Sequence, residues 1–268
     1  MKNVLTIAGS DSSGGAGIQA DLKTFAAHGV FGLSVITAVT AQNTQGVFAV
    51  QDITPDMTAK QMDAIFSDID VAAVKIGMVS QIDSITTIAA KLREWGATNI
   101  VADTVMVSSS GYHLLNPAAE ATLVRELFPL AAVVTPNIPE AEVITGRSIL
   151  TLADMEEAAR AIFALGPQSV LMKGGHLEGD SIDVLFDGHS FVYLDSRRIA
   201  TKNTHGTGCT LSSAIAANLG RGLAVADAVA AAKEYITGAI EHSLSMGKGA
   251  GPTHHFYDLY KKAGMRCD

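Results

Sequence analysis

Short and almost continuously apolar runs alternate along this chain with longer segments in which apolar residues recur at helical spacing. The short runs are rich in β-branched residues, as expected of strands that are covered on both faces. They occupy residues 4–8, 34–41, 72–76, 100–105, 132–135 and 169–172. Strands that alternate with helices predict βαβ units, and therefore an α/β fold with a mainly parallel sheet and helices on both faces.

Local start and stop signals set the ends of the predicted helices. The helical patterns over 16–28 and 80–95 are each followed by glycine, which readily ends a helix in the left-handed conformation. Thr54 before a proline predicts the N-cap of a helix that runs to about residue 69. Thr151 with Asp154 predicts the start of a further helix that ends near residue 166.

The segment 182–199 departs from this alternation. Its two strand-like runs, 183–186 and 191–194, are joined by Asp187-Gly188, and an Asp-Gly pair between apolar runs predicts a hairpin. We expect this hairpin to add a small antiparallel edge to the sheet. Beyond it the pattern is helical over 211–219 and again from 224 to about 245. No repeat, low-complexity tract or linker interrupts the chain, so residues 1–268 are expected to form a single domain.

Composition narrows the class of protein. Apolar residues make up 48% of the 268 residues, which is ample for a buried core, and charged residues make up only 17%. The net charge is −8 and the sequence contains no basic block, which argues against nucleic acid as a partner. The first residues run directly into a strand pattern, and no apolar stretch reaches membrane-spanning length. Cys209 and Cys267 fit neither a disulfide framework nor a metal spacing, so we expect a reduced, cytoplasmic protein without a membrane partner.

A glycine-containing turn at 204–210 precedes the helical run over 211–219. Gly206 and Gly208 let several N–H groups point inward at the start of a helix, where the helix dipole also favours an anion. The same dipole is expected to lower the pKa of the Cys209 thiol. An anion site beside an activatable acid–base group is what phosphoryl transfer to an alcohol requires. The structural alternative is an ordinary glycine turn in which the cysteine is a small buried residue.

A second glycine-rich stretch, residues 9–17, directly follows the first predicted strand. The carboxyl ends of parallel strands are where such sheets bind ligands, so this loop belongs to the edge expected to be active. Residues 15–20 match the dinucleotide pattern G-x-G-x-x-A, but the acidic residue expected about 20 positions later is absent. A nicotinamide-dependent dehydrogenase is therefore set aside. No Walker loop is present either, so any nucleotide must be bound by another device.

Further polar residues fall at the ends of predicted strands. Gln42 follows the second strand, and a side-chain amide suits a heterocycle with a ring nitrogen beside an exocyclic amine. Asp103 lies inside the predicted strand 100–105, where an unpaired carboxylate is costly to bury, and Lys173 follows the strand 169–172, where its ammonium suits nucleotide phosphates. Asn137 and Glu140 follow the strand 132–135 at a spacing that places an amide and a carboxylate near one helix start, which suits Mg²⁺ and its waters. Each has an ordinary structural explanation alone, as turn chemistry, a helix cap or a solvated lysine. Together on one edge they favour a site.

Several stretches resemble those of the ribokinase-like kinases, and within them the hydroxymethylpyrimidine and phosphomethylpyrimidine kinases of thiamine biosynthesis. The matching stretches are LTIAGSD (5–11), GGAGIQADLK (14–23), KIGM (75–78), TPN (135–137), MKGGH (172–176), KNTHGTGCT (202–210) and GPTHHF (251–256). They extend from residue 5 to about 256, and in combination they are highly specific. The resemblance implies a three-layer αβα ribokinase-like fold, a homodimer, and the use of ATP and Mg²⁺.

The resemblance also implies residue roles. It implies that Asp21 and Gln42 hydrogen-bond the aminopyrimidine and that Gly9 lies near its hydroxymethyl group. Met78 and Val105 are implied to line the ring pocket. The implied ATP and metal residues are Asp103, Asn137, Glu140 and Lys173, where Lys173 contacts the ATP phosphates and the other three organise Mg²⁺. The implied catalytic residues are Gly206, Thr207 and Gly208 as the anion hole, which also contacts ATP, and Cys209 where many relatives carry an aspartate.

The expected reaction is transfer of a phosphoryl group from ATP to 4-amino-5-hydroxymethyl-2-methylpyrimidine, and then to the resulting monophosphate. Two departures from the family pattern are Thr104 after Asp103 and Ser109, where relatives often carry a lysine before Ser110-Gly111. The alternative enzyme is a pyridoxine, pyridoxal or pyridoxamine kinase of the same fold, or one with both activities. A non-catalytic sensor of such precursors is disfavoured because the glycine turns, Lys173 and Cys209 are all present.

Overall fold

A nine-stranded sheet runs through the computed structural model, which describes residues 1–105, 117–175 and 181–266. Its strands are β1 (Asn3–Asp11), β2 (Phe31–Asn43), β3 (Gly46–Asp52), β4 (Ala73–Ile76), β5 (Ile100–Ala102), β6 (Val133–Val134), β7 (Val170–Met172), β8 (Ser181–Phe186) and β9 (Phe191–Ser196). The α-helices are α1 (Gly17–Ala27), α2 (Pro55–Phe66), α3 (Ile82–Glu94), α4 (Pro117–Leu127), α5 (Ile138–Thr145), α6 (Leu152–Phe163), α7 (Thr207–Gly220), α8 (Val225–Glu241) and α9 (Tyr257–Lys262).

The strands lie in the order β3-β2-β1-β4-β5-β6-β7-β8-β9. Six neighbouring strands are parallel, namely β2, β1, β4, β5, β6 and β7, which confirms the predicted βαβ arrangement. The predicted hairpin is confirmed as β8 and β9, and Gly188 in its turn has φ +91°. A second antiparallel edge, β3 against β2, was not predicted from the sequence. Within the described residues, no helix is long and apolar enough to cross a membrane.

Two separate apolar cores cover the faces of the sheet and confirm the three-layer architecture. On β4, Val74 and Ile76 pack with helices α2 to α6, while Ala73 packs with α1, α7 and α8 on the opposite face. The helix α7 lies deepest, because every residue from 210 to 220 is buried. A Cβ at Gly220 would lie 2.8 Å from Cγ2 of Val4, so this helix rests directly on the sheet.

The predicted helix signals are found at the helix ends. The Thr54 hydroxyl accepts a hydrogen bond from the N–H of Met57 at 3.3 Å, and Thr151 forms a reciprocal capping box with Asp154. One boundary differs in a way that concerns the chemistry. Helix α7 begins at Thr207 rather than at residue 211, so Cys209 lies inside its first turn.

A fully buried ion pair connects the sheet to two of its helices. The Lys75 Nζ lies 3.0 Å from each carboxylate oxygen of Asp21, and neither side chain has exposed surface. Thr6 and Ser213 each donate a hydroxyl hydrogen bond of 2.6 Å to the same carboxylate. These four residues belong to β1, β4, α1 and α7. Because both charges are satisfied, the pair is stable as a unit, and removing one partner would leave a buried charge without compensation.

We expect Lys75→Met or Asp21→Asn alone to lower the free energy of unfolding by about 3–5 kcal/mol. Combining them should cost less than the sum, since neither charge is then stranded. Urea unfolding followed by circular dichroism measures these values. The control is Lys60→Met, which breaks the exposed pair with Asp56, whose side chains are 66% and 74% exposed. Its expected effect is below about 1 kcal/mol, and equal effects in both pairs would contradict the prediction.

Candidate active site

Polar side chains follow the last apolar residues of three neighbouring strands and meet at one carboxylate, Asp103. Its Oδ1 accepts a hydrogen bond of 3.1 Å from the Thr135 hydroxyl and lies 3.3 Å from the Nζ of Lys173. Its Oδ2 lies 3.1 Å from the Ser212 hydroxyl of α7. Asp103 is buried, whereas the Lys173 side chain keeps 16% of its surface exposed. The structure therefore brings together two residues that the sequence placed at separate strand ends.

Electrostatics keep Asp103 and Lys173 charged. Burial alone would raise the pKa of Asp103, but the Lys173 and Lys75 ammonium groups outweigh it and hold that pKa below its ordinary value. Burial would likewise lower the pKa of Lys173, and the carboxylates of Asp103 and Glu140 raise it instead. The partly exposed end of this pair is a positive charge at the edge of the sheet.

The start of α7 lies beside that positive charge. Its N-cap, Gly206, has φ +78°, and helix geometry leaves the N–H groups of Gly208 and Cys209 without an acceptor within the helix. A Cβ built on Gly208 would lie 3.5 Å from the Nζ of Lys173 and 3.7 Å from Oδ2 of Asp103. Helix N–H groups, the helix dipole and an ammonium thus converge on one small space. That combination is suited to an anion such as a phosphoryl group.

The Cys209 thiol does not have the lowered pKa that was expected from its helix position. Burial raises its pKa to about 11, and the carboxylates of Asp21 and Asp103 add to this effect. The Lys75 ammonium and the Gly17 N–H act in the opposite direction but do not compensate. The prediction from the helix dipole is therefore wrong, because burial of the thiol dominates and the nearby carboxylates add to it. At neutral pH the group is a thiol.

Asn137 and Glu140 form the predicted start of a helix, α5. The Asn137 Oδ1 accepts from the Glu140 N–H, and the Glu140 carboxylate accepts from the Asn137 N–H, both at 2.9 Å. The Thr104 hydroxyl donates to the same Glu140 oxygen at 2.8 Å. Burial raises the pKa of Glu140, and the charge of Asp103 adds to this rise while Lys173 opposes it. The two carboxylates, Glu140 and Asp103, therefore share one electrostatic environment.

This environment fits a magnesium ion in part. Asp103 and Glu140 supply the hard oxygen donors that Mg²⁺ prefers, and a cation would relieve the burial of the Glu140 carboxylate. The Asn137 side-chain oxygen is already used by the helix cap. Among the described residues, no group of three or more His, Cys, Asp or Glu side chains is arranged to hold a metal. Two carboxylates suffice only where phosphates and water complete the coordination, which is how Mg²⁺ is usually bound with nucleotides.

Four of the five residues expected to contact the acceptor, namely Gly9, Gln42, Met78 and Val105, lie at or just after the carboxyl ends of β1, β2, β4 and β5. Met78 packs on Gly9 so closely that a Cβ there would lie 2.5 Å from its Cε. Gln42 is half-buried and lies beside the loop that follows β1. Its backbone N–H donates to the Ser12 hydroxyl at 2.9 Å, and that hydroxyl donates to the Gln42 carbonyl at 2.8 Å. Val105 is half-buried at the end of a described segment.

The fifth, Asp21, is not at this edge. It has no exposed surface and holds Lys75, so the structure places it beneath the site rather than in it. Ser109, Ser110 and Gly111 fall outside the described residues, as does Cys267.

Sequence reasoning missed Lys75, Thr135 and Ser212. A signal for the first two exists, because a polar residue two positions after a buried apolar one faces the same side of a strand. Ala73 precedes Lys75, Val133 precedes Thr135, and Val101 precedes Asp103 in this way, with each apolar residue packed against the α7 layer.

A separate surface cavity of about 350 Å³ between β9 and α8, lined by residues such as Leu194, Arg197, Lys233 and Thr237, contains none of the residues of this site.

Comparison with known proteins gives concordant findings. The sequence matches the family described as phosphomethylpyrimidine kinase over residues 11–254. It is 56% identical over 261 residues to the hydroxymethylpyrimidine/phosphomethylpyrimidine kinase of Rhizobium meliloti (strain 1021), which covers 96% of this chain and 98% of the relative.

Two solved structures are also similar. The phosphomethylpyrimidine kinase of Clostridium difficile 630 has a TM-score of 0.81 at 51% identity, and covers 90% of this chain and 100% of its own. The ADP complex of Bacillus subtilis pyridoxal kinase has a TM-score of 0.89 at 42% identity, and covers 96% of this chain and 98% of its own. At these levels of identity the ribokinase-like fold expected from the sequence is confirmed.

The raised pKa of Cys209 can be tested by its rate of alkylation with iodoacetamide in a Cys267→Ser background. Only the thiolate reacts, so a pKa of about 11 predicts a rate that rises about tenfold per pH unit from about pH 7 to 10. Glutathione, measured alongside, should level off as its own thiol ionises. A plateau for Cys209 near neutral pH would contradict the prediction.

Proposed function

The chain belongs to the phosphomethylpyrimidine kinase family, and on this basis we propose that it transfers the γ-phosphoryl group of ATP to hydroxymethylpyrimidine and then to the monophosphate formed. Both steps would serve thiamine biosynthesis, and residues 1–268 would act as a single domain. The observation that carries the proposal is the convergence of the α7 start and Lys173 on the space beside Gly208. The ADP complex of the similar pyridoxal kinase supports ATP as the donor.

The catalytic contribution of this arrangement is positioning and electrostatic stabilisation, which dominate phosphoryl transfer. The N–H groups of Gly208 and Cys209 would stabilise charge on the migrating group, with Gly206 and Thr207 forming the turn that exposes them. Lys173 would neutralise phosphate oxygens of ATP without losing its proton, because its pKa is raised by Asp103 and Glu140. All these groups are preorganised, so little reorganisation accompanies the reaction.

We propose Asp103 and Glu140 as the residues that hold Mg²⁺, directly or through water, with Asn137 fixing the position of Glu140. When bound, Mg²⁺ would neutralise charge on the ATP phosphates. The protein residues act on the same charge: Asp103 orients Lys173 at 3.3 Å, and Thr104 and the Asn137 N–H fix one oxygen of Glu140. Because these two hydrogen bonds fix one oxygen of Glu140, they also fix the orientation of its carboxylate group and so the direction of its second oxygen.

Cys209 would act mainly by shape and by its N–H group. A thiol with a pKa of about 11 is a poor base at neutral pH, so proton removal from the alcohol by this group would require that substrate binding lower its pKa. In the second step the acceptor is already a phosphate oxygen and needs little base catalysis. The Lys75 ammonium beneath the site and the Gly17 N–H lower the thiol pKa, whereas Asp21 raises it and holds Lys75 in place. Because Asp21 has no exposed surface, we assign it this supporting role rather than contact with the pyrimidine.

The acceptor would lie between the loop after β1 and the end of β2. The Gln42 side-chain amide can donate to a ring nitrogen and accept from an exocyclic amine beside it. An aminopyrimidine offers this pair of neighbouring groups, whereas the pyridine ring of pyridoxal has a ring nitrogen without an amine beside it. Met78 and Val105 would contact the ring, and Gly9 would admit the hydroxymethyl group. A second candidate function is pyridoxal phosphorylation, alone or in addition, because the similar Bacillus subtilis structure is that of a pyridoxal kinase.

We also propose that the protein works as a homodimer in the cytoplasm, without nucleic acid or membrane as a partner. The net charge of −8 disfavours nucleic acid. At the outer edge of the sheet, β2 and β3 expose Phe31, Val39 and Phe48, which are 56%, 48% and 68% exposed. An exposed apolar edge of this kind is suited to pairing with a second copy of the chain.

The experiment that tests the function is ADP release with ATP and Mg²⁺ in the presence of hydroxymethylpyrimidine, its monophosphate or pyridoxal, with products separated by chromatography. We expect the monophosphate and then the diphosphate of the pyrimidine. Turnover of pyridoxal without either pyrimidine product would favour the second function instead. Absence of all products in a folded, ADP-binding protein would refute both.

Gly208→Ala tests the anion space directly. The added methyl group meets no atom closer than 3.5 Å, so the protein should fold, but it occupies the space between α7 and Lys173. We expect kcat to fall about 100-fold, since displacement of a reacting group by about 1 Å has an effect of this size. Gly238→Ala in α8 is the matched control, because a Cβ there has no neighbour within 4 Å. Unchanged kcat in Gly208→Ala would refute the assigned phosphate position.

A further inference from the structure

Two glycine-containing turns, one after β1 and one before α7, contact each other backbone to backbone. The His205 ring lies against Gly15, and a Cβ at Gly206 would collide with the carbonyl oxygen of Gly15. At Gly206 the positive φ of +78° also favours glycine. The two turns fit so closely that neither can shift without displacing the other.

One buried carboxylate, that of Asp11, joins the two turns. Its Oδ2 accepts hydrogen bonds from the N–H groups of Gly15 at 3.1 Å and Ala16 at 2.8 Å. The same oxygen lies 2.8 Å from Nε2 of His205. Its Oδ1 accepts from the Ser13 N–H and hydroxyl at 2.8 and 2.7 Å. Asp11 and His205 are 3% and 5% exposed, so this connection is shielded from water.

The carboxylate is also firmly ionised. Burial alone would raise the pKa of Asp11, but the hydrogen bonds from His205 and Ser13 outweigh it and lower that pKa to about 2. A charged acceptor makes each of these hydrogen bonds stronger than a bond between neutral groups.

His205 is held from a third direction by its backbone. Its N–H donates to the carbonyl of Gly251 at 3.1 Å, and His205 pairs with Pro252 as an isolated parallel bridge. The Gly251 N–H in turn donates to Oδ1 of Asn203 at 3.1 Å. The residue after His205 is the N-cap of α7. The backbone of His205 is therefore fixed directly before the start of that helix, and its ring links this point to Asp11.

We infer that Asp11 and His205 are positioning residues that keep the loop after β1 in register with the start of α7. This inference rests on the proposed function, in which that loop borders the acceptor and the start of α7 borders the phosphoryl group. Transfer requires the reacting atoms to approach within about 3–3.5 Å in line, so register between the two turns limits the rate. The loop after β1 contacts the acceptor and the start of α7 contacts the phosphoryl group, each through its own groups. The Asp11–His205 pair sets only how the acceptor and the phosphoryl group are placed relative to each other.

Substitutions at His205 separate this role from a purely structural one. His205→Leu removes the nitrogen that reaches Asp11, whereas His205→Gln keeps an N–H donor at similar reach. At saturating ATP and hydroxymethylpyrimidine we expect His205→Leu to lower kcat about 100-fold, with the Kd for ADP changed less than about threefold. His205→Gln should restore kcat to within about fivefold of wild type, since the donor to Asp11 is regained.

The matched control is His28→Leu, which replaces a half-buried histidine at the end of α1 whose Nδ1 lies 2.8 Å from the Thr24 carbonyl. It should change Tm without changing kcat. An equal loss of kcat in His28→Leu and His205→Leu would overturn the inference, because the effect would then follow from stability alone.

A second readout needs no pyrimidine. Alkylation of Cys209 in the Cys267→Ser background reports the position of the α7 start, and His205→Leu should change its rate at least about fivefold while His205→Gln leaves it within about twofold. If the proposed function is wrong, the wild-type protein itself forms no pyrimidine phosphate. If only this inference is wrong, the wild-type protein is active and the His205 variants behave like it. Wild-type kcat and alkylation rate in folded His205→Leu would overturn the inference. If that variant does not fold, wild-type values in Asp11→Asn would do so.

Discussion

The Lys75 ammonium and the Asp21 carboxylate, both without exposed surface, lie where β1, β4, α1 and α7 meet. Charges at this depth are retained only while they satisfy one another, so the four elements can pack in one arrangement. That arrangement sets the depth of α7 on the sheet, and with it the position of the helix start beside Lys173. The phosphate side of the site therefore depends on a pair that has no exposed surface. The positive charge of Lys75 also partly offsets the effect of the nearby carboxylates on the pKa of Cys209.

Charge balance explains the unusual titration of the site. Three buried carboxylates, Asp21, Asp103 and Glu140, accompany two ammonium groups, Lys75 and Lys173. Asp21 and Asp103 each contact one ammonium, whereas burial, with the negative charge of Asp103 added, raises the pKa of Glu140. The site without ligands thus lacks one positive charge, which a divalent cation would supply. A nucleotide alone would add further negative charge, so the charge balance supports the proposal that a nucleotide binds here together with a divalent cation.

The family could be predicted because stretches such as 14–23 and 202–210 resemble those of its members, and the parallel sheet because β-branched runs alternate with helical patterns. The strand ends placed Asp103 and Lys173 on one edge, where the structure joins them. Strand β3 was missed because its outer face is exposed and its stability comes from pairing with β2, which leaves little apolar pattern. Lys75 was read as part of an apolar run, since its partner Asp21 is 54 positions away. The thiol pKa was wrong for a related reason. A helix dipole is a local property, whereas the burial that raises this pKa, and the carboxylates of Asp21 and Asp103 that add to it, come from elements distant in sequence.

The complete burial of α7 from residue 210 to 220 has a consequence for how such an enzyme changes its substrate. A larger side chain at any of these buried positions would displace its neighbours, so this part of α7 tolerates little change. The residues proposed to contact the acceptor, Gln42, Met78 and Val105, are only half-buried. We therefore expect a change of acceptor to come from substitutions at such half-buried positions rather than within residues 210–220.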